Sequence, residues 1–207
     1  LSLRGDWRGT SQDPARLGSL ALPQTGGTTT SSGGGVMATV SSHFGAAILN
    51  EFRGYLQTSK NDGAGFSDLP QGRVQVASLL PDGSTGVTTL VFGGSTGFPS
   101  RSRGSSFEGS NELSWLPGRG AHRIKLGASF LTERSHDFVG SNLLGTFSYN
   151  SLADLESGRA ASFRRTLGIT ERQADNLRWG FYAGDVWMVT RPFQLTYGVR
   201  LEGSKFG

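Results

Sequence analysis

The feature that most constrains this chain is a strict two-residue alternation near its end. From residue 193 the apolar side chains fall on every second position, with polar or small residues between them. Successive side chains of a β-strand point to opposite sides, so this stretch predicts a strand with one apolar and one polar face. The apolar positions are Phe193, Leu195, Tyr197, Val199 and Leu201, and the intervening ones are Gln194, Thr196, Gly198, Arg200 and Glu202.

The same alternation recurs in segments joined by short turns rich in Pro and Gly. Residues 176–189 alternate and lead through Thr190-Arg191-Pro192 into the closing strand, which predicts a hairpin. A second hairpin is predicted over residues 105–134, with its turn at 117–120. Further predicted elements are a strand at 1–9, hairpins over 35–59 and 73–94, and a short helix at 151–158.

The composition agrees with a β protein that buries only one face of its strands. Only 35% of the residues are hydrophobic, whereas Gly counts 32 and aromatic residues reach 10%. A helical bundle or a doubly wound α/β fold needs longer aliphatic runs, and no stretch approaches the about 18 apolar residues of a membrane helix. The composition therefore favours an all-β antiparallel meander with many turns.

Charge and residue types exclude several functions. The net charge is +4, but the basic residues are scattered and form no run, so nucleic acid is not an expected partner. The sequence has no Cys, and its three histidines lack the spacing of metal ligands, so no cofactor is predicted. Residues 93–97 fit the G-x-S-x-G of a nucleophile elbow, but no helical pattern follows them, so the chain is not expected to be an enzyme.

The connections alternate between long and short along the chain. Long loops are predicted at 10–35, 60–104 and 136–175, and short turns separate them. All tight turns of such a meander lie at one end and all long loops at the other, which is typical of outer-membrane barrels. The sequence thus predicts a partial transmembrane β-barrel with long extracellular loops. Residues 1–207 are expected to be a fragment of one barrel domain, with about seven strands of a larger barrel and no plug domain.

Aromatic residues and strand length supply the reason to place lipid against the apolar face. Tryptophans and phenylalanines cluster towards both ends of the alternating segments, like the aromatic girdles of a membrane barrel. The predicted lipid-facing residues are Ile124, Leu126, Phe130, Leu195, Tyr197, Val199 and Leu201. The predicted lumen-facing residues are Arg123, Lys125, Gln194, Thr196, Arg200 and Glu202. The alternative is a soluble sheet whose apolar face packs against a second sheet.

Three stretches resemble a known family. GFYAGDVWMVTRPFQLTYGVRLE resembles the strand-turn-strand signature of TonB-dependent outer-membrane receptors, although Gly184 stands where the family often has Gln. NELSWLPGRGAHRIKLGASF is similar to the hairpin that precedes it in that family. FSYNSLADLESGRAASFRRTL is similar to a loop segment of the Oar-like branch, whose members carry an N-terminal carboxypeptidase-regulatory-like domain.

The resemblance implies a barrel of about 22 strands, closed by an N-terminal plug and powered through contact with TonB. The plug and the TonB contact would lie outside residues 1–207. It also implies location in the outer membrane of a Gram-negative bacterium, with membrane lipid and an unidentified solute as partners. A passive porin and a secreted β-rich adhesin are the alternatives. The loop residues Arg159, Arg164 and Arg165 could bind an anionic ligand, although a solvated loop is the favoured interpretation.

Overall fold

The computed structural model of the chain describes residues 1–79, 81–118, 121–168 and 171–207. Strands dominate these residues, and they are numbered here in chain order. The strands are β1 (Ser2–Ala15), β2 (Gly27–Phe44), β3 (Ile48–Gly65), β4 (Gln71–Leu79), β5 (Thr85–Gly93), β6 (Ser100–Trp115), β7 (His122–Val139), β8 (Thr146–Tyr149), β9 (Ser162–Arg164), β10 (Glu171–Thr190) and β11 (Phe193–Phe206).

Seven long strands form one antiparallel sheet in the order β1-β2-β3-β6-β7-β10-β11. Every neighbouring pair is antiparallel, and the register between β3 and β6 runs without interruption from Ile48 opposite Trp115 to Gly63 opposite Ser100. Within the described residues β1 and β11 each have a partner on one side only, so the sheet is open. The predicted all-β meander of about seven strands that do not close a barrel is confirmed.

Each hairpin of the main sheet turns at the same end. Residues 45–47 join β2 to β3, and Arg191 and Pro192 join β10 to β11. The connection from β6 to β7 also lies at this end, although residues 119 and 120 of its predicted turn fall outside the described residues. The three longer connections leave from the opposite end, here called the long-loop end. Both hairpins predicted over 105–134 and 176–205 are confirmed by their strand pairing.

The long connections are shorter than the sequence predicts. Strand β1 continues to Ala15 and β2 begins at Gly27, so only residues 16–26 remain of the loop predicted at 10–35. Likewise β3 runs to Gly65, β6 starts at Ser100, β7 ends at Val139 and β10 starts at Glu171. The predicted limits are wrong because Ser, Thr, Gly and charged residues carry no apolar alternation, yet their backbones continue the hydrogen-bonded ladder.

A second sheet of four short strands lies at the long-loop end, in the order β5-β4-β8-β9. The predicted hairpin over 73–94 is β4 and β5, and β4 also pairs in parallel with β8. In the hairpin turn, the hydroxyl and amide of Ser84 donate hydrogen bonds to Asp82 and hold the pKa of that carboxyl below its usual value.

The predicted short helix is present as α1 (Leu152–Glu156). Its N-cap is Ser151, whose hydroxyl accepts a hydrogen bond from the amide of Asp154 at 3.1 Å. Gly158 adopts a left-handed conformation with φ 67° just past the helix, which is the usual way to end one. In the described part of the chain, no helix is long and apolar enough to cross a membrane.

The molecule has almost no hydrophobic core. Only Ala15, Val74 and Phe98 are buried apolar residues among those described, and all three lie near the long-loop end. The accessible surface is 14138 Å² for a mass of 22.0 kDa. A compact soluble monomer of this mass exposes about 9,300 Å². The main sheet therefore leaves both of its faces uncovered, and its apolar side chains need another environment than a protein interior.

Candidate functional site on the two faces of the main sheet

Strand register assigns each residue of the main sheet to one of two faces. Directly opposed residues of neighbouring strands share a face. Asp185 is opposite both Ile124 and Tyr197, whereas Gly184 is opposite Lys125 and Gly198. The face that contains Ile124 is called the apolar face below, and the face that contains Lys125 is called the polar face.

The structure separates the predicted site residues onto these two faces. The apolar face carries Ile124, Leu126, Phe130, Leu195, Tyr197, Val199 and Leu201. The polar face carries Arg123, Lys125, Gln194, Thr196, Arg200 and Glu202. Each set therefore lies on one face of the sheet, as the alternation predicts. That the apolar face meets lipid and the polar face meets the lumen stays a prediction.

Aromatic side chains lie in two bands on the apolar face. Trp115, Trp187 and Phe193 lie near the short turns, and Phe107 and Trp179 lie eight residues further along their strands. Eight residues of a strand tilted by about 40° span roughly 20 Å of height. The side chains between the bands are mostly aliphatic and exposed, with Val199 75% and Leu201 63% accessible. The apolar face thus has the dimensions of a membrane-crossing band.

A hydrogen-bonded cluster lies at the middle of the polar face. The carboxylate of Glu112 on β6 accepts hydrogen bonds from the ammonium of Lys125 on β7 and from the hydroxyl of Tyr182 on β10, each at 2.5 Å. Tyr182 reaches Glu112 by lying across Gly127, where a Cβ atom would come within 2.0 Å of the tyrosine ring. The lack of a side chain at Gly127 therefore permits the contact between strands that are not neighbours.

The polar face forms two open clefts suited to polar solutes or polypeptide. One, of about 280 Å³, is lined by the Glu112 cluster together with Glu51, Arg53 and Arg200. The other, of about 320 Å³, lies closer to the long-loop end and is lined by small and amide side chains that include Gln57, Ser106 and Asn176. Carboxylates, cations and hydroxyls alternate here, so the face can donate and accept hydrogen bonds over its whole height.

Asp185 places a carboxylate on the apolar face between the two aromatic bands, a role that the sequence did not reveal. The carboxylate of Asp185 lies 2.6 Å from Nδ1 of His122, and it accepts hydrogen bonds from the Tyr197 hydroxyl at 2.9 Å and the Arg123 amide at 3.1 Å. The His122 ring stacks on Trp187, with centroids 5.5 Å apart. The alternation of the strand could have revealed this position, because residue 185 is two residues before Trp187 and therefore lies on the same side of β10.

The chemical motifs weighed from the sequence have local structural roles. Ser95 lies in the turn between β5 and β6, where its hydroxyl accepts a hydrogen bond from the Gly97 amide at 3.2 Å, so a strand rather than a helix follows the motif. In the loops, Arg159 lies 3.8 Å from Asp154, and Arg165 donates to the Leu143 carbonyl at 2.7 Å. Among the described residues no group of three His, Asp or Glu side chains is arranged to hold a metal.

Comparison with known proteins identifies the family. The profile described as an outer membrane beta barrel domain matches residues 1–205. No curated protein and no solved structure matches the chain significantly. The chain belongs to the outer membrane beta barrel domain family, and its place is the outer membrane of a Gram-negative bacterium. A secreted adhesin, whose apolar face would pack on a second sheet, is inconsistent with this membership.

Proposed function

We propose that the chain is the barrel segment of a TonB-dependent receptor that takes up a solute across the outer membrane. The observation that best supports this proposal is the size of the long-loop end. A tilted strand crosses the membrane with roughly 9–11 residues. Strand β10 has 20 residues and β7 has 18, and the second sheet lies at the same end. A receptor needs such an extracellular surface to capture a dilute solute, whereas a porin that works by simple diffusion does not.

The resemblance to this receptor family has structural support. His122 comes from one of the stretches that resemble it, and Asp185, Trp187 and Tyr197 come from another. All four meet in the cluster on the apolar face, near the short turns. Two stretches that each resemble the receptor family thus meet in one cluster of side chains.

The proposal assigns the apolar face to lipid and the polar face to the lumen. An outward apolar band flanked by aromatic girdles is the surface that a membrane barrel presents to lipid. Charged residues are costly against lipid at mid-membrane, and those of the polar face would instead meet water, solute or a plug. The plug and the contact with TonB would come from parts of the protein outside residues 1–207.

A passive porin is the second candidate, because the polar face would line an open aqueous channel equally well. Its clefts hold acids and bases within reach of water, as in a water-filled lumen. The two functions differ in whether the lumen is closed at rest.

Conductance of the full-length protein in a planar lipid bilayer separates the two. A receptor closed by a plug should show no steady conductance after insertion, and it should conduct only when urea unfolds the plug. Steady single-channel conductance straight after insertion would support the porin and contradict the receptor. Cross-linking of the full-length protein to the periplasmic domain of TonB provides an independent test, which a porin should fail.

A further inference from the structure

The apolar face changes character beyond its aromatic band at the long-loop end. The strands continue in the same register, but the side chains on this face become charged. These residues, here called the outer basic cluster, are Lys60, Asp62, Arg101, Arg103, Arg134 and Asp175. Register places them on the same face as Phe107, Trp179 and the aliphatic side chains nearer the turns.

Cations outnumber carboxylates in this cluster. The Asp62 carboxylate lies 2.9 Å from the Lys60 ammonium, 3.5 Å from Arg101 Nε and 3.7 Å from Arg103 Nη2. The hydrogen bond from Lys60, with the nearby charges, holds the pKa of Asp62 below its usual value, so the carboxyl is charged at neutral pH. Three cations around one carboxylate leave a positive excess, and Glu171, which lines the same cleft, offsets only part of it.

The cluster is open and shaped to receive a ligand. One cleft of about 690 Å³ is lined by Lys60, Arg101 and Arg103, and a second of about 520 Å³ is lined by Arg103 and Arg134. Arg103 therefore contributes to both clefts. The Arg101 and Arg103 side chains are 61% and 48% exposed. Planar guanidinium groups match the oxygens of a phosphate, and two of them on one strand can share one phosphate or bind two.

Height along the strand places the cluster at the level of lipid headgroups. Arg103 is four residues beyond Phe107 on β6. At about 3.4 Å per residue and a tilt of about 40°, this is roughly 10 Å above the aromatic band. The headgroup region begins where the hydrocarbon ends and is several ångströms deep on each side.

We propose that the outer basic cluster binds the phosphate groups of anionic lipid in the outer leaflet. Two observations favour lipid over a transported solute: the cluster is on the outward, apolar side of the sheet, and it is continuous with the band that meets hydrocarbon. Asp62 keeps the three cations together until a phosphate displaces it. The inference rests on the proposed assignment of the apolar face to lipid, and it holds for a receptor and for a porin alike.

The test measures binding of fluorescently labelled, bis-phosphorylated lipid A to the full-length protein in detergent. Removing two charges by Arg101→Gln with Arg103→Gln should weaken binding about tenfold. The matched control removes two charges from the connection between β7 and β10, by Arg159→Gln with Arg164→Gln, and should change binding less than about twofold. Heat-modified migration in gels verifies that each variant is folded. Equal losses in both double variants would mean diffuse attraction and would overturn the site.

Two further arms identify the ligand. Dephosphorylated lipid A should bind wild-type protein about as weakly as the intact lipid binds the Arg101→Gln, Arg103→Gln variant. Inorganic phosphate at millimolar concentration should not displace the lipid, and displacement would assign the cluster to free phosphate instead. Asp62→Asn, which removes a competing carboxylate and leaves the backbone pairing of β3 with β6 in place, should tighten binding about threefold. Unchanged or weaker binding in this variant would contradict the proposed role of the cluster.

Discussion

The carboxylate of Asp185 and the imidazole of His122 lie 2.6 Å apart on the apolar face of the sheet, although 63 residues separate them in the chain. The Tyr197 hydroxyl donates a second side-chain hydrogen bond to the same carboxylate. Asp185 is only 9% exposed, so its partners replace much of the water that a carboxylate needs. This carboxylate is tolerated between the aromatic bands because it receives three hydrogen bonds near the turn end of the sheet.

Removing the Asp185 carboxylate should therefore destabilise the barrel. Asp185→Ala leaves two side-chain donors and one amide without their acceptor, and we expect a loss of about 1–3 kcal/mol in the free energy of unfolding. Tyr197→Phe, which removes a single hydrogen bond, should cost about 1 kcal/mol. Urea unfolding of the full-length protein in lipid vesicles measures both. In the Asp185→Ala background Tyr197→Phe should cost almost nothing, and fully additive losses would contradict the coupling.

The two faces of β11 should respond differently to the same added charge. Val199→Arg places a guanidinium on the apolar face at mid-membrane, where it costs about 2–4 kcal/mol, whereas Thr196→Arg places it on the polar face. The assembled fraction in outer membranes, read from heat-modified migration in gels, should fall sharply for Val199→Arg and little for Thr196→Arg. The two variants are matched in strand and in the residue introduced, and their positions are three residues apart. Similar losses from both would mean that the faces are wrongly assigned.

Gly127 should not accept even one methyl group. In Gly127→Ala the new Cβ would lie 2.0 Å from the ring of Tyr182, which must then leave Glu112. We expect a loss of about 1–3 kcal/mol in unfolding free energy. The control is Gly109→Ala, whose Cβ would meet its nearest atom, on Phe107, at an ordinary 3.4 Å. In a Tyr182→Ala background Gly127→Ala should cost less than about 0.5 kcal/mol, and an undiminished cost would refute the steric explanation.

Alternation made the faces of the main sheet predictable, since parity alone places Leu195 and Arg200 on opposite sides. Turn residues such as Arg191-Pro192 then fixed the hairpins. Strand ends were not predictable in the same way. Beyond the aromatic band neither face is apolar, so residues 27–34, with the sequence GTTTSSGG, look like a loop although β1 and β3 hold them in the sheet.

Contacts between distant segments were also beyond reach of local patterns. Parity puts Glu112, Lys125 and Tyr182 on one face, but only the register of β6, β7 and β10 brings the last two within 2.5 Å of the Glu112 carboxylate. The parallel pairing of β4 with β8 depends on a long connection that leaves no periodic signal. The same holds for the outer basic cluster, whose members come from four strands.

Spin labels on β7 test the central claim, that the apolar face meets lipid and the polar face meets water. Residues 1–207 contain no Cys, so single cysteines can be introduced there and labelled in the full-length protein, with any cysteine outside this range replaced by Ser. Labels would be placed at each position from 123 to 130, and the protein reconstituted in lipid vesicles. Power saturation should show oxygen accessibility at Ile124, Leu126 and Phe130 and polar-reagent accessibility at Arg123, Lys125 and Ser129. Accessibility of the opposite phase, or without a two-residue period, would contradict the account.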